Sequence, residues 1–122
     1  MTILRRADQE ESSPMEGSKS LMMAGASTGA SMATVGDLTV QPGVRSAYHL
    51  HPNTEEAIFV VEGEMEFRVG SSRFRASTGD CVLAPQSTGH GLENVGDTPA
   101  RLITIYPTAE PARETLDDVE YT

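Results

Sequence analysis

The chain of 122 residues holds three histidines, and all three fall in one pattern: His49-Leu-His51, then Glu56, then His90. Imidazoles and a carboxylate together suit borderline transition metals, so whether these four groups can converge decides which chemistry is open. His49 and His51 are two residues apart, which on a strand means one face and a separation of about 7 Å. Both rings can therefore reach one ion. Pro52-Asn53 breaks that strand and Glu56 starts the next, so the chain can bend and bring a carboxylate to the same point. With Glu56 pointing in, Ile58 and Val60 also point in and Glu55 points away. His90 follows a loop and is the fourth candidate. A histidine taken singly is more often a surface or satisfied core residue than a ligand. The coincidence of all three favours a centre for one divalent Fe, Mn, Ni, Cu or Zn ion.

Such a centre needs strands to hold it, and the composition supplies them. Six residues are aromatic and none is tryptophan, while 11 glycines and 7 prolines punctuate short apolar runs. That texture predicts an all-β domain with many turns, a sandwich or barrel, of a length that carries one core. Ser31 to Val40 reads as a strand ended by Gln41-Pro42-Gly43, and Glu64 to Val69 alternates charged and apolar residues without a break. Turn signals at Gly70-Ser71-Ser72 and Thr78-Gly79-Asp80 suggest two successive hairpins, and Arg101 to Tyr106 is the last clear strand. No helix of useful length is expected. Residues 1–30 read as a partly ordered N-terminal arm, 31–106 as the barrel and 107–122 as an acidic, solvated C-terminal tail.

Charge and punctuation narrow the partners. The formal net charge is −9 and no basic stripe gathers the arginines, so nucleic acid is not an expected partner. No window holds 18 consecutive apolar residues, and acidic residues stand where a signal peptide needs its apolar stretch. The expectation is no membrane and a cytoplasmic location, with which the lone Cys81 agrees. The only lysine, Lys19, lies among turn formers, which argues against a Schiff base in the core. Cys81 is expected to be a small buried hydrophobe and Tyr48 to face outward. Arg45 shares the parity of His49 and His51, making it the candidate to bind an anionic substrate, although the plainer reading as a solvated rim position is favoured.

The spacing also resembles the cupin superfamily. Its first motif, G(X)5HXH(X)3-4E(X)6G, is met by Gly43, His49, His51, Glu56 and Gly63. Its second, G(X)5PXG(X)2H(X)3N, is met by Gly79, Pro85, His90 and Asn94, with Ser87 where the family usually has glycine. The resemblance covers roughly residues 30–106 and implies a single antiparallel jelly-roll barrel. It implies a metal held near one mouth by His49, His51, Glu56 and His90.

For function, the resemblance implies a metal-dependent enzyme acting on a small organic molecule. A dioxygenase is preferred, with Glu56 as a proton shuttle. Isomerase, decarboxylase, lyase or polyketide-cyclase chemistry is the alternative, as is a non-catalytic small-molecule-binding module. One pattern concerns assembly instead. In the strand from Glu56 the outward parity, Ala57, Phe59 and Val61, is as apolar as the inward one, so something must cover it. The arm or a second subunit would serve, and the resemblance favours a two-fold homodimer with residues 15–30 laid across the partner.

Overall fold

A computed structural model describes residues 2–117, and among them every regular element longer than three residues is a strand. The strands are β1 (Glu11–Ser12), β2 (Ser18–Ala24), β3 (Thr34–Val40), β4 (His49–Leu50), β5 (Glu56–Glu62) and β6 (Glu64–Val69). They continue as β7 (Ser72–Ser77), β8 (Cys81–Ala84), β9 (His90–Asn94), β10 (Ala100–Tyr106) and β11 (Glu114–Thr115). One antiparallel sheet has the order β1-β2-β3-β10-β5-β8 and the other β11-β4-β9-β6-β7. This is the expected all-β barrel of two facing sheets. No helix among the described residues is long and apolar enough to cross a membrane.

Alternation explains the core. Met65 and Phe67 of β6 are buried between half-exposed or exposed neighbours, and they meet Leu38, Val40, Ile58, Val60, Val82, Leu92 and Leu102 from the other strands. Each such side chain removed from water contributes about 1.5–3 kcal/mol, which makes this stripe the main source of stability. In β5 the inward set is Glu56, Ile58 and Val60, as its parity predicts. Gly63 carries the chain from the first sheet to the second with φ 126°, and a Cβ there would stand 2.7 Å from the Cβ of Ala100. Only glycine fits that crossing.

Several expectations change. The turn at Thr78-Gly79-Asp80 does reverse the chain, but β8 pairs with β5 in the other sheet and not with β7, so of the two expected hairpins β6–β7 alone forms. Turn residues encode the reversal and not the partner. Cys81 is exposed, because β8 buries Val82 and Ala84 and so turns Cys81 and Leu83 outward. Tyr48 is buried instead of open to solvent: its hydroxyl donates to the Gly70 carbonyl, and its ring lies where a Cβ on Gly89 would be 2.6 Å away.

Both terminal segments are built into the sheets. Within residues 1–30, β2 pairs with β3 of the same chain from Ser18–Val40 to Ala24–Val35, and Arg6 reaches back to Asp37 on β3. In the acidic C-terminal segment Glu110, Glu114 and Asp117 are exposed, yet its backbone pairs with β4 through Glu114–Leu50 and Thr115–His49. Unpaired N–H and C=O groups at the β4 edge make that docking favourable whatever the side-chain charge.

Candidate metal centre

Each of the four sequence candidates is delivered by a different backbone position. His49 and His90 are direct cross-strand partners on β4 and β9, His51 follows β4, and Glu56 opens β5 in the facing sheet. Pro52-Asn53 makes the bend between the histidine pair and the carboxylate. All four side chains are buried, and one ligand atom from each lies within 4.8 Å of the others. Glu55 is exposed, as the parity required.

The tautomers are fixed from outside. His49 Nδ1 stands 2.7 Å from the Ala47 carbonyl, His51 Nδ1 2.7 Å from that of Ala112, and His90 Nδ1 2.9 Å from that of Thr88. Each ring thereby donates its Nδ1–H to backbone and turns the Nε2 lone pair to the centre, the arrangement that makes imidazole a ligand. Glu56 Oε1 meets two of these nitrogens, at 3.2 Å from His51 Nε2 and 3.0 Å from His90 Nε2. Lone pairs facing one another at that distance repel unless a proton or a cation sits between them. His51 Nε2 is buried and makes no hydrogen bond of acceptable geometry, despite its 3.2 Å approach to the carboxylate. An orphaned buried nitrogen aimed at a carboxylate is what a metal ligand looks like without its ion, so the residues fit a single transition metal.

The electrostatics agree. Burial pushes the His49 pKa down to about 4, with the charges of His90, Arg113 and His51 adding to it, so this ring is neutral and able to ligate at pH 7. Glu56 is held at about 2: burial opposes ionisation, but the approach of the His51 and His90 rings outweighs it. His51 moves the other way. Burial lowers its pKa, and the nearby Glu56 carboxylate and the Ala112 carbonyl more than reverse that.

Two residues escaped sequence reasoning. Tyr106, at the end of β10, donates its hydroxyl to Glu56 and sets its ring edge-to-face on His51 at 5.0 Å; burial and the Glu56 charge raise it above the ordinary phenol range. It shares inward parity with Leu102 and Thr104, a signal that counting from Leu102 would have caught. Arg113 lines the same cavity from the C-terminal segment, where no periodicity announces it. Arg45, the sequence candidate for an anion, is exposed and does not line the cavity. Its segment is not a regular strand but a single bridge to Glu93, so parity counted back from His49 does not reach it.

The cavity lined by His49, Glu56 and His90 of the four ligand candidates measures about 210 Å³. Leu38, Ile58 and Leu92 form its apolar floor; Thr104 and Tyr106 add hydroxyls.

The sequence of Protein SchB from Streptomyces halstedii is 35% identical over 75 residues, covering 62% of this chain and 54% of SchB. Polyketide synthase CurC from Streptomyces cyaneus is 33% identical over 75 residues, covering 62% of this chain and 49% of CurC. The chain thus spans about half the length of these relatives. Among solved structures, the S161A mutant of Bacillus subtilis oxalate decarboxylase OxdC superposes with a TM-score of 0.81 at 28% identity. That match covers 92% of this chain and 31% of the decarboxylase chain. The profile of the cupin domain family matches residues 36–106, which include all four ligand candidates, and the chain belongs to that family.

Proposed function

We propose that the protein is a metal-dependent enzyme acting on a small organic molecule. The observation that carries this reading is the buried meeting of His49, His51, Glu56 and His90 beside a cavity of about 210 Å³. An ion serving only structure has no need of such a space. A divalent Fe, Mn, Ni, Zn or Cu ion bound there would supply Lewis acidity and, if redox-active, a route for electrons to dioxygen. The chain's own groups do the rest. Three backbone carbonyls hold the imidazoles in one tautomer, Glu56 is the proposed proton shuttle with Tyr106 beside it, and the apolar floor excludes water.

Oxidative cleavage with dioxygen is the reading put first, because three imidazoles and one carboxylate suit a redox metal. Decarboxylation or cyclisation without dioxygen is the second. It is favoured by the names of the relatives, a polyketide synthase protein and an oxalate decarboxylase, the latter with Mn(II) centres. Protein loaded separately with Fe(II), Mn(II), Ni(II) or Zn(II) should be offered 1,3-dicarbonyls, catechols and small carboxylic acids. Oxygen uptake with a redox metal and none with Zn(II) is the expected result; product without oxygen uptake selects the second reading. Stoichiometric metal with no turnover on any of these would favour a binding module.

We also propose a two-fold homodimer through the outer face of the first sheet. Phe59, Leu83 and Ile105 are 40%, 55% and 41% exposed there, on neighbouring strands. Phe59→Glu costs little on a solvated face and several kcal/mol in a desolvated one, about the penalty of an unpaired buried charge. Light scattering at micromolar concentration should find a dimer for the wild type and a monomer for this variant.

A further inference from the structure

The cavity has two sources. All four ligand candidates lie inside residues 36–106, the part matched by the family, whereas Pro14, Met15, Ser20, Met22, Pro111 and Arg113 line the space from outside that part. The part matched by the family therefore holds the metal centre, and segments on either side of it complete the wall of the cavity. Arg113 is the only lysine or arginine among the described residues of that wall.

The backbone under Arg113 is registered to the centre. Asn53 donates to the Glu110 carbonyl at 3.0 Å and accepts from the Ala112 N–H at 2.8 Å. The Ala112 carbonyl takes the Nδ1–H of His51, and Glu114 and Thr115 then pair with β4. Arg113 thus stands between two fixed points, one of them a hydrogen bond to a metal-ligand candidate. Its side chain is exposed and forms no ion pair with any described residue. In a chain of net charge −9, which repels small anions at long range, a guanidinium with no ion pair among the described residues is a local reversal of sign at the cavity wall.

Building on the metal-dependent reading above, we propose that Arg113 selects the substrate. Its guanidinium binds the carboxylate of a small organic acid whose body fills the space between the terminal segments and the His/Glu cluster. Size limits that body. A cavity of about 150 Å³ holds benzene. The 210 Å³ found here takes one ring or its aliphatic equivalent with a carboxylate. Guanidinium suits the task because its fork matches both carboxylate oxygens.

Calorimetry on Zn(II)-loaded protein with benzoate, and with benzamide as its neutral counterpart, tests this. Arg113→Gln should weaken benzoate by about 10-fold or more, the scale of one charge-assisted pair, while leaving benzamide affinity and zinc stoichiometry unchanged. Arg113→Lys should retain part of the benzoate affinity, and Arg45→Gln all of it. Unchanged benzoate affinity in Arg113→Gln, or equal loss of benzoate and benzamide, overturns the proposal. Wild-type protein that takes up zinc but binds no benzoate overturns it too, and leaves the metal-dependent reading standing. Protein that binds benzoate through Arg113 yet takes up no metal does the reverse.

Discussion

Two carboxylates are buried in the first sheet, on opposite faces, and their surroundings are opposites. Asp37 on β3 is 3% exposed on the outer face, where Arg101 Nε and Nη2 reach its two oxygens at 3.0 and 2.8 Å and Arg6 Nε adds a third contact at 3.2 Å. Glu56 on β5 is 4% exposed on the inner face, where the nearest nitrogens are imidazole Nε2 atoms whose protons sit on the far side of the ring. The first is a carboxylate whose charge is fully matched by donors within the fold. The second faces acceptors, apart from the Tyr106 hydroxyl, and needs a cation from outside. Burial of an acid alone thus says nothing about function; what its oxygens face does.

Substitution separates the two most sharply. Glu56→Gln keeps the volume and lets an amide N–H donate to an imidazole lone pair, so metal-free stability should hold or rise. Metal affinity should fall by more than about 100-fold, beyond the usual effect of altering a residue that only supports a ligand. His51→Ala should abolish stoichiometric metal as well, whereas Glu55→Gln should leave it intact; elemental analysis after dialysis reads all three. Asp37→Asn should show the converse pattern, full metal content and lower stability. The loss is about 1–3 kcal/mol, less than for a fully buried pair, because Arg6 and Arg101 are 53% and 45% exposed and regain water. Equal metal loss in Asp37→Asn would erase the distinction.

Acid sharpens the same contrast in metal-free protein. His49 is depressed from 6.5 to about 4 by burial, so its contribution to stability is complete above pH 6.5 and lost as pH falls toward 4. His51 is raised, so its contribution is complete below pH 6.5 and fades as pH rises through the folded value. Asp37 is lowered from 3.8 by its hydrogen bonds to Arg101, working against burial, and its contribution fades only below that pH. Urea midpoints measured across pH should therefore show one loss between 6.5 and about 4 that persists in Asp37→Asn. A second loss, below 3.8, should be smaller in that variant.

The Glu56 side was legible in the sequence and the Asp37 side was not. His49, His51 and Glu56 sit close together in the chain, where parity and a proline bend suffice, and His90 was the only other histidine. Asp37 depends on Arg6 and Arg101, 31 and 64 residues away, and nothing local encodes that meeting. Arg113 is hidden for a similar reason: it is placed by edge pairing of an acidic segment whose composition reads as solvated. Strand faces were read correctly where alternation was regular, as in β5 and β6, failed at Tyr48 and Cys81, and could not be counted back to Arg45, where the backbone is irregular.

Backbone strain divides the two sides as well, with the smallest expected effect. Ser87, in the loop between Pro85 and His90, has φ 60°, and it is the one non-glycine residue at positive φ among those described. A side chain in that conformation costs on the order of 1 kcal/mol. The loop holds it because the Ser87 N–H donates to the His51 carbonyl at 2.9 Å, which ties the approach of His90 to the backbone of His51. The Ser87 hydroxyl returns little, lying 3.4 Å from the Pro52 carbonyl. Ser87→Gly should relieve the strain and lose some of the gain to the greater freedom of glycine in the unfolded chain, for a net stabilisation of about 0.5 kcal/mol. Metal affinity should stay within about twofold, since the N–H that positions His51 is backbone and remains. A urea midpoint lower than wild type would show that the Ser87 hydroxyl holds the loop, and that this side of the barrel carries no strain to release.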